Sequence, residues 1–410
     1  MLDYFLDGAT PRENWQVGME LEKMGRSSDT GRPLPYDGDG PTVRRVLELF
    51  RELHGGDVVT EADNVIGLEA PWGTITLEPG GQVEWSSRPQ RSLVDLHRLQ
   101  RGYLATLREI AALTGIEWLD VAVDPVHALS DMHWMPKERY RLMREYFRDK
   151  GRLAHRMMTQ TASIQCAFDF SDATDWQRKF RAAAFLTPVA AAMFANSRRV
   201  DGRDSGYHSY REAIWRETDA DRCGLPSIVF EPSFDMERWI GWLLDVPRLF
   251  RRNAGGLLPP DGSTFREALE GPGGAELGLE DWATHCSSIF TEVRSYTYIE
   301  VRCADLMPDD LSFAVPTFWT GTLYDENAVD AALELGGELD HADWERALES
   351  ASRDGLDGSL GRWKIRDLAG RALGAAVCGL QRGVPGSGDP AESVRPLEVL
   401  ASHLGLDVKV

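Results

Sequence analysis

The chain has 410 residues, of which 42% are hydrophobic and 27% are charged, a composition typical of a globular protein with a large core. It carries 45 Lys and Arg against 65 Asp and Glu, which gives a formal net charge of −20. Such a surface repels nucleic acid and anionic membranes, so we expect neither as a partner, although a local basic site could still bind a small anion.

The cysteines and the N-terminal segment indicate the compartment. The five cysteines are far apart and form no CxxC pair, which argues against a zinc framework and against a secreted disulfide scaffold. The N-terminal segment MLDYFLDGATPRENW lacks the basic and apolar regions of a signal peptide. The longest apolar run, PVAAAMFA, is far shorter than a membrane span. We therefore expect a cytoplasmic protein with reduced thiols.

Hydrophobic periodicity predicts both helices and strands. In chain order, we expect a strand at 15–23, a helix at 42–54, a strand at 74–86, a helix at 91–115 between an N-cap at Ser92 and a stop at Gly115, strands at 116–123 and 161–170 on either side of a helix at 136–151, helices at 174–195, 207–216 and 236–252, a strand at 293–303, and helices at 326–336, 341–352, 363–381 and 393–404. This order, without a Gly-rich strand-to-helix turn, favours an α+β fold with a largely antiparallel sheet.

Four of the predicted strands combine one apolar face with one polar face, because side chains two residues apart on a strand point the same way. The polar faces carry Glu20 and Glu22; Thr74, Thr76 and Glu78, followed after a turn by Gln82 and Glu84; Ser163 and Gln165; and Arg294, Tyr296, Tyr298, Glu300 and Arg302. A sheet with one solvent-facing side gives the same alternation. The abundance of Glu, and the arginines and tyrosines at 294–302, favour a functional site instead.

Clustered carboxylates suggest a metal site. Carboxylates on one face repel one another and raise one another's pKa, and a divalent cation relieves that repulsion. Magnesium takes oxygen ligands and usually shares them with substrate phosphates. A nucleotide is a further inference, since carboxylates can also bind metal for hydrolysis. The sequence contains no P-loop pattern and no GxGxxG after a strand, so the sheet and its metals would have to bind the phosphates.

At these residues the sequence resembles glutamate–cysteine ligases of the plant and proteobacterial branch of the carboxylate–amine ligase superfamily. The matching segments include VGMELEKMG, ITLEPGGQVEWS, MPKERYRLMREYF, TASIQCAFDF, IWRETDADRCG and IFTEVRSYTYIEVRCAD, in the family's order from about residue 15 to 382. The resemblance implies a glutamine-synthetase-like fold, in which a curved, largely antiparallel sheet forms a cradle with helices packed on its outer side. It also implies one catalytic domain over residues 1–410, with a linker and a C-terminal helix at 383–410.

The resemblance implies an ATP- and magnesium-dependent reaction. ATP phosphorylates the side-chain carboxylate of glutamate, and the amine of cysteine then attacks the acyl phosphate. The products are γ-glutamylcysteine, ADP and phosphate. This is the first step in the synthesis of low-molecular-weight thiols, either glutathione or ergothioneine.

The site residues follow from the matched segments. The expected magnesium ligands are Glu20, Glu22, Glu78, Glu84 and Glu300. Gln165 and Lys23 are expected to contact the nucleotide and its metals, and Arg294 and Arg302 to contact phosphate, unless they only form salt bridges with neighbouring glutamates. The glutamate substrate is expected to meet Arg222, with Trp215 and Tyr210 lining its pocket.

Three departures from the family pattern affect the substrate. Gln160 and Ala167 replace an expected Arg and Asn, and Cys223 replaces a Thr. At these points the sequence resembles the actinobacterial, ergothioneine-pathway type more closely. A ligase of the same mechanism with another amine or acid is therefore an alternative. A nucleotide-binding protein without catalysis and a metal hydrolase are alternatives of other classes. The sequence leaves open whether the protein is a monomer or a homodimer.

Overall fold

The computed structural model describes residues 1–407, apart from the side chain of Ala275; residues 408–410 of the expected C-terminal segment lie outside the described part. The α-helices of this part are α1 (Leu2–Leu6), α2 (Val43–His54), α3 (Leu93–Thr114), α4 (Glu138–Phe147), α5 (Ala154–Gln160), α6 (Ala173–Met193), α7 (Tyr210–Arg216), α8 (Met236–Asp245), α9 (Phe265–Glu270), α10 (Leu279–Cys286), α11 (Ala314–Leu323), α12 (Glu326–Gly336), α13 (His341–Asp354), α14 (Ile365–Gln381) and α15 (Pro390–Leu404).

The strands alternate with these helices along the chain. They are β1 (Val17–Lys23), β2 (Gly25–Ser27), β3 (Asp57–Glu61), β4 (Asn64–Ala70), β5 (Gly73–Leu77), β6 (Val83–Ser87), β7 (Ile116–Trp118), β8 (Ser163–Phe168), β9 (Arg199–Val200), β10 (Arg203–Asp204), β11 (Arg251–Asn253), β12 (Gly256–Leu258), β13 (Val293–Ser295), β14 (Ile299–Asp305), β15 (Ser359–Leu360) and β16 (Trp363–Lys364).

One large sheet organises the molecule. Eight strands pair in the order β13-β14-β8-β1-β6-β5-β4-β3. Every pairing in this sheet is antiparallel. The expected α+β fold with a large antiparallel sheet is therefore confirmed.

The apolar face of the central strands packs against helices. Met19, Leu21 and Ile164 are buried on this face. Helices α3 and α11 contact β1, and α6 contacts β14. Burial of these side chains stabilises the packing of helices on this face, since each fully buried aliphatic side chain contributes about 1.5–3 kcal/mol. The opposite, polar face is left for the site.

The expected strand at 293–303 is wrong in one respect, because it is a hairpin of β13 and β14. The backbone N–H of Tyr296 donates to the carbonyl of Tyr298 at 2.8 Å, which closes the turn. Arg294 and Glu300 nevertheless lie directly opposite each other, so they still share a face. Residues 294 and 300 share a face both on one straight strand and across a hairpin of two strands, so alternation alone does not distinguish these two arrangements.

The strand expected at 74–86 likewise divides into β5 and β6 around the turn Pro79-Gly80-Gly81. The turn requires its glycines: Gly81 has φ of +87°, and a Cβ on Gly80 would lie 2.3 Å from the carbonyl oxygen of Thr159. The amide of Gln82 donates to the carbonyl of Thr161 at 2.7 Å. These contacts fix the hairpin against the end of α5.

Nearly all of the buried apolar side chains form one connected cluster that extends from Phe5 to Ala401. Across residues 1–407, the helices are all too short or too polar to cross a membrane.

Candidate active site

The polar face of the sheet forms the floor of a cavity of about 260 Å³. Four of the expected metal ligands line it, namely Glu20, Glu22, Glu78 and Glu84. Helices α4, α5 and α7 contribute side chains to the same cavity, including Arg139, Met157 and Arg211.

Strand register explains why residues so far apart in sequence meet. Glu22 lies opposite Glu84 across β1 and β6, and Glu20 lies opposite Gln165 across β1 and β8. Glu300 follows on β14. The antiparallel pairing therefore arranges the polar side chains in rows across four adjacent strands.

Three of the carboxyl groups in these rows, those of Glu20, Glu22 and Glu84, have pKa values above the usual range. Enclosure by the protein, followed by repulsion from Glu300, raises the pKa of Glu20 to about 8. Enclosure and the proximity of Glu78 raise the pKa of Glu22 to about 7. The pKa of Glu84 is also well above its usual value, because of burial and then the charges of Glu20, Glu78 and Glu22. The ligand-free site thus favours protonated carboxyl groups and would gain from a bound cation.

Glu300 differs from the other glutamates because two arginines neutralise it. Arg294 donates to it through two nitrogens, one of them at 3.2 Å, and Arg302 donates at 2.8 Å. Burial alone would raise the pKa of Glu300, but these arginines lower it below the usual value. The expected alternative for Arg294 and Arg302, a salt bridge with a neighbouring glutamate, is therefore present. Both side chains also line the cavity.

Gln165 connects the two halves of this network. Its amide nitrogen donates to Glu22 at 3.1 Å, while its carbonyl oxygen accepts from Arg302. Glu22 also accepts from the backbone N–H of Ser163 at 2.8 Å. The orientation of Glu22 is thus fixed by β8.

A second cavity, of about 200 Å³, lies towards the other ends of the same strands. Glu20 and Gln165 line both this cavity and the first one. Glu300, Tyr298 and Asp169 also line this smaller cavity. A wider cavity of about 680 Å³ adjoins it at Ser86 and Ser87. The polar face therefore carries a groove with glutamates near its centre and space on both sides.

Lys23 lines none of these three cavities, so its expected contact with the nucleotide is wrong. Its side chain shares a face with Leu21 and is 2% exposed. The ammonium group pairs with Asp120, and with Asp309 at 2.8 Å. It belongs to the packing on the far side of β1.

The expected contact of Arg222 with the glutamate substrate is also wrong, because the guanidinium group is fully buried and already hydrogen-bonded within the protein. It donates to Asp219 at 2.7 Å, to the hydroxyl of Tyr146 at 2.9 Å and to the carbonyl of Pro247 at 2.9 Å. A substrate carboxylate would have to displace these partners. Its role in the structure is to connect loops behind the cavity, and its carbonyl accepts the N–H of the cavity-lining Phe290 at 2.8 Å.

The two aromatic residues expected at the substrate pocket face different cavities. Trp215 lines the active-site cavity, and its indole N–H is buried with no hydrogen-bond partner among residues 1–407. Tyr210 lies on another face of α7 and lines a separate cavity of about 570 Å³ with Arg216 and Glu345. Tyr210 is therefore removed from the set of substrate-pocket residues.

Sequence reasoning missed several residues that line the main cavity. Arg139 and Tyr140 lie in the quoted segment MPKERYRLM, and Arg211 lies next to Tyr210. The hydroxyl of Tyr140 donates to Glu78 at 3.1 Å. Arg139 donates one N–H to the carbonyl of Ser287 at 3.0 Å and packs over the ring of Phe250. The hydrophobic periodicity of that segment predicts a helix, but it does not indicate which face of the helix contacts the sheet.

The departures from the family pattern fall in different places. Gln160 is fully buried outside the cavity; it donates to the carbonyl of His127 at 2.7 Å and accepts from Arg156 at 2.9 Å. Ala167 lines the smaller cavity. Gln160 therefore has no contact with the space available to an amino acid in the main cavity.

The described residues, 1–407, contain no group of three or more His, Cys, Asp or Glu side chains arranged so that it could bind a metal ion as it stands. Glu20, Glu22, Glu78 and Glu84 share a cavity, but Glu300 is paired with two arginines, and Glu22 already accepts hydrogen bonds from Ser163 and Gln165. The expected magnesium site stays a prediction.

Comparison with solved structures identifies the fold. The fold is similar to that of a glutamate–cysteine ligase from Francisella tularensis solved in complex with AMP, with a TM-score of 0.53, 11% identity, and coverage of 97% of this chain and 83% of that one. At that identity the likeness concerns the fold.

Sequence comparison is more specific. Residues 16–406 match the model of glutamate-cysteine ligase family 2, and the chain belongs to that family. It is 36% identical over 387 residues to the chloroplastic glutamate–cysteine ligase B of Oryza sativa subsp. japonica, covering 93% of this chain and 77% of the relative. A chloroplastic glutamate–cysteine ligase of Brassica juncea is 36% identical over 388 residues, with 93% and 74% covered. The resemblance seen in the sequence is confirmed.

Proposed function

We propose that this chain is an ATP-dependent glutamate–cysteine ligase that forms γ-glutamylcysteine through a γ-glutamyl phosphate. The observation that carries the proposal is the convergence of Glu20, Glu22, Glu78 and Glu84 with four arginines around one cavity. Family membership supports the same reaction. The product would enter the synthesis of a low-molecular-weight thiol such as glutathione or ergothioneine.

Magnesium fits the donor set of this cavity. The site offers carboxylate oxygens, which are the ligands that magnesium prefers. Burial first, and repulsion between the carboxylates second, raise the pKa values of Glu20, Glu22 and Glu84, and a cation would relieve both effects. Glu20, Glu22, Glu78 and Glu84 would bind it, with Glu300 beside them. Bound magnesium would neutralise charge on the phosphates of ATP.

The arginines are suited to the charge that develops during phosphoryl transfer. The side-chain carboxylate of glutamate attacks the terminal phosphorus of ATP, and ADP leaves with the electrons of the broken bond. Arg294 and Arg302 line the cavity beside Glu300, which holds their guanidinium groups in place, and they are suited to donate to phosphate oxygens. Arg139 and Arg211 lie on the helical side, where they suit the carboxylates of amino acids.

In the second step the amine attacks the acyl carbon, phosphate leaves, and the nitrogen loses a proton as the amide forms. The cavity favours this step by placing both amino acids in one enclosed space, which replaces a bimolecular encounter by a local one. Enclosure also limits hydrolysis of the acyl phosphate by water. The indole N–H of Trp215 has no hydrogen-bond partner among residues 1–407 and is a donor available to a substrate oxygen.

The groove suggests which substrate lies where. Arginines surround the main cavity and suit amino-acid carboxylates, whereas the smaller cavity has hydroxyl and carboxylate groups, which suit ribose and base. Under this arrangement the phosphates meet the glutamates at the centre. Ala167→Leu, which narrows the smaller cavity, should raise the KM for ATP and leave the KM for glutamate unchanged; the reverse pattern would contradict the assignment.

The direct test is product formation by the purified chain. Glutamate, cysteine, ATP and magnesium should give γ-glutamylcysteine, ADP and phosphate in equal amounts, measured by mass spectrometry and a coupled ADP assay. Hydroxylamine in place of cysteine should trap the acyl phosphate as γ-glutamyl hydroxamate. Absence of both products under conditions where the chain is folded would refute the proposal.

A further inference from the structure

Glu78 differs from the other glutamates of the site because it does not lie on a strand. The others are on β1, β6 and β14, whereas Glu78 lies one residue beyond the end of β5. Its backbone is fixed by the turn, since its N–H donates to the carbonyl of Gln82 at 2.9 Å. Among residues 1–407, its half-buried carboxylate accepts a hydrogen bond from one side chain, the hydroxyl of Tyr140 at 3.1 Å. The direction in which Glu78 presents its oxygens therefore depends on Tyr140.

The hydroxyl of Tyr140 has two acceptors within reach. Its oxygen lies 2.6 Å from the carbonyl oxygen of Leu77 and 3.1 Å from the carboxylate of Glu78. A tyrosine hydroxyl has only one proton to donate. The carbonyl of Leu77 therefore competes with Glu78 for that proton.

Lys137 acts on both sides of this competition. Its Nζ donates to the hydroxyl oxygen of Tyr140 at 3.0 Å and to the carbonyl of Leu77 at 3.4 Å. The second contact gives the carbonyl another donor. The first polarises the O–H group, which strengthens the hydrogen bond that this group donates. Burial lowers the pKa of Lys137, whereas the charges of Glu78 and Glu84 oppose that effect.

The chain around Lys137 fixes it in this place. The backbone N–H of Met135 donates to the carbonyl of Pro79 at 2.9 Å, which connects the segment before α4 to the turn after Glu78. The Nζ of Lys137 lies over the ring of Tyr140, 4.5 Å from its centroid. Lys137 lines a neighbouring cavity of about 390 Å³ together with Tyr140, which also lines the active-site cavity. Lys137 itself is absent from the lining of the active-site cavity, so it acts there through the tyrosine.

We propose that Lys137 is a positioning residue of the active site, which acts through the hydroxyl of Tyr140 to direct the carboxylate of Glu78 towards a bound metal ion. The inference rests on the proposed ligase function, which assigns Glu78 to magnesium. Partners behind a metal ligand fix its orientation, and their loss lowers metal affinity by about 10–100-fold.

The test measures metal affinity directly, with Mn²⁺ and ADP as the probe. Bound Mn²⁺ is detected by its enhancement of the relaxation of water protons. Lys137→Met, which removes the donor but keeps an unbranched side chain, should raise the Kd for Mn²⁺ by roughly tenfold. Kinetics should show the same factor in the magnesium concentration for half-maximal activity, with the KM for glutamate unchanged at saturating magnesium.

Tyr140→Phe shows whether Lys137 acts through the hydroxyl. This variant keeps the ring and removes the hydroxyl, so it should weaken Mn²⁺ binding at least as much as Lys137→Met does. Adding Lys137→Met to Tyr140→Phe should cause no further loss, because the two residues act in one chain of contacts. A further tenfold loss in the double variant would overturn the inference. Wild-type affinity in Tyr140→Phe would also overturn it, even if Lys137→Met does not fold.

Lys150→Met is the matched control. Lys150 lies just beyond the end of α4, with its Nζ 5.0 Å from the ring centroid of Tyr146, and pairs with Asp221 at 3.2 Å. It lines none of the cavities described here, so its variant should keep the wild-type Kd.

Two other results would overturn the inference, namely an unchanged Kd in folded Lys137→Met and a wild-type chain that binds no Mn²⁺ with ADP. Failure of the proposed function has a different signature. The wild-type chain would then bind Mn²⁺ but give no γ-glutamyl hydroxamate with hydroxylamine.

Discussion

Replacing Glu300 by Gln should both stop turnover and destabilise the fold. Glu300 has a side chain that is 3% exposed and is paired with Arg294 and Arg302, which are 13% and 10% exposed. The amide keeps the shape of the carboxyl group but removes its negative charge. Two adjacent guanidinium groups are then left in a poorly solvated place without the charge that compensates them.

The size of the effect follows from this burial. Breaking a buried ion pair by removing one partner costs about 3–5 kcal/mol. Unfolding entropy is about 2.1 cal/mol/K per residue, so for a chain of 410 residues each kcal/mol lowers the midpoint by about 1 °C. We therefore expect Glu300→Gln to unfold roughly 3–6 °C below wild type in differential scanning calorimetry, with product formation lost at temperatures where it is folded.

Glu326→Gln is the control for this measurement. Glu326 pairs with Arg12 at 2.8 Å, but its side chain is 79% exposed, and exposed pairs contribute about 0–1 kcal/mol. Its midpoint should stay within about 1 °C of wild type. If Glu300→Gln unfolds at the same temperature as Glu326→Gln, the two arginines do not depend on Glu300 for compensation and the reasoning is wrong.

Three further substitutions separate chemistry from stability. Glu78→Gln removes a half-buried carboxylate of the cavity, so product formation should fall by about 10²-fold or more while the midpoint changes little; retained activity would exclude Glu78 from the site. Arg222→Lys loses hydrogen bonds that are fully buried, so calorimetry should show a lower midpoint and kinetics an unchanged KM for glutamate; a raised KM at wild-type stability would reinstate Arg222 as a substrate residue. Burial, with repulsion from Glu212, raises the pKa of Glu292 from 4.5 to about 8, so the folded chain retains a proton that the unfolded chain releases. The contribution of this group to the free energy of unfolding is therefore largest below about pH 4.5 and declines as the pH rises towards 8. The unfolding midpoint of Glu292→Gln should exceed that of wild type by a margin that grows between pH 6 and pH 8. A margin that does not change with pH would contradict the assignment.

The acidic face is the part of the site that the sequence predicts best. Alternation along β1 places Glu20 and Glu22 on one face, and the same rule places Glu84 on its strand. Pairing partners were not predictable from alternation, yet the polar faces had to meet once the apolar faces packed against helices. The large antiparallel sheet follows from the same amphipathic pattern.

The errors arise where a side chain's partners decide its role. The alternation in β1 already places Lys23 with Leu21 on the apolar face, and its pairing with Asp120 and Asp309 explains how a lysine is buried there. Arg222 has a nearby carboxylate at Asp219, but its other bonds come from distant loops. Sequence spacing contains no information on such contacts.

The residues that the sequence did not assign come mainly from helices above the sheet. Arg139 and Arg211 lie on helices whose amphipathic patterns predict burial of one face but not the surface that it contacts. Two helices must cross the polar face at particular angles before these arginines meet the glutamates. That arrangement depends on tertiary packing, such as the contact between Gln82 and the end of α5.

Proton release on nucleotide binding tests the central claim most directly. The pKa values of about 8 for Glu20 and about 7 for Glu22 mean that these groups retain protons near pH 7, which magnesium would displace on coordination. Titration of the chain with ADP and magnesium, by calorimetry in buffers of different ionisation enthalpy, should show about one proton or more released per nucleotide at pH 7, and less for Glu20→Gln. Binding without proton release, or with the same release in Glu20→Gln, would contradict a metal and nucleotide site on the glutamate face.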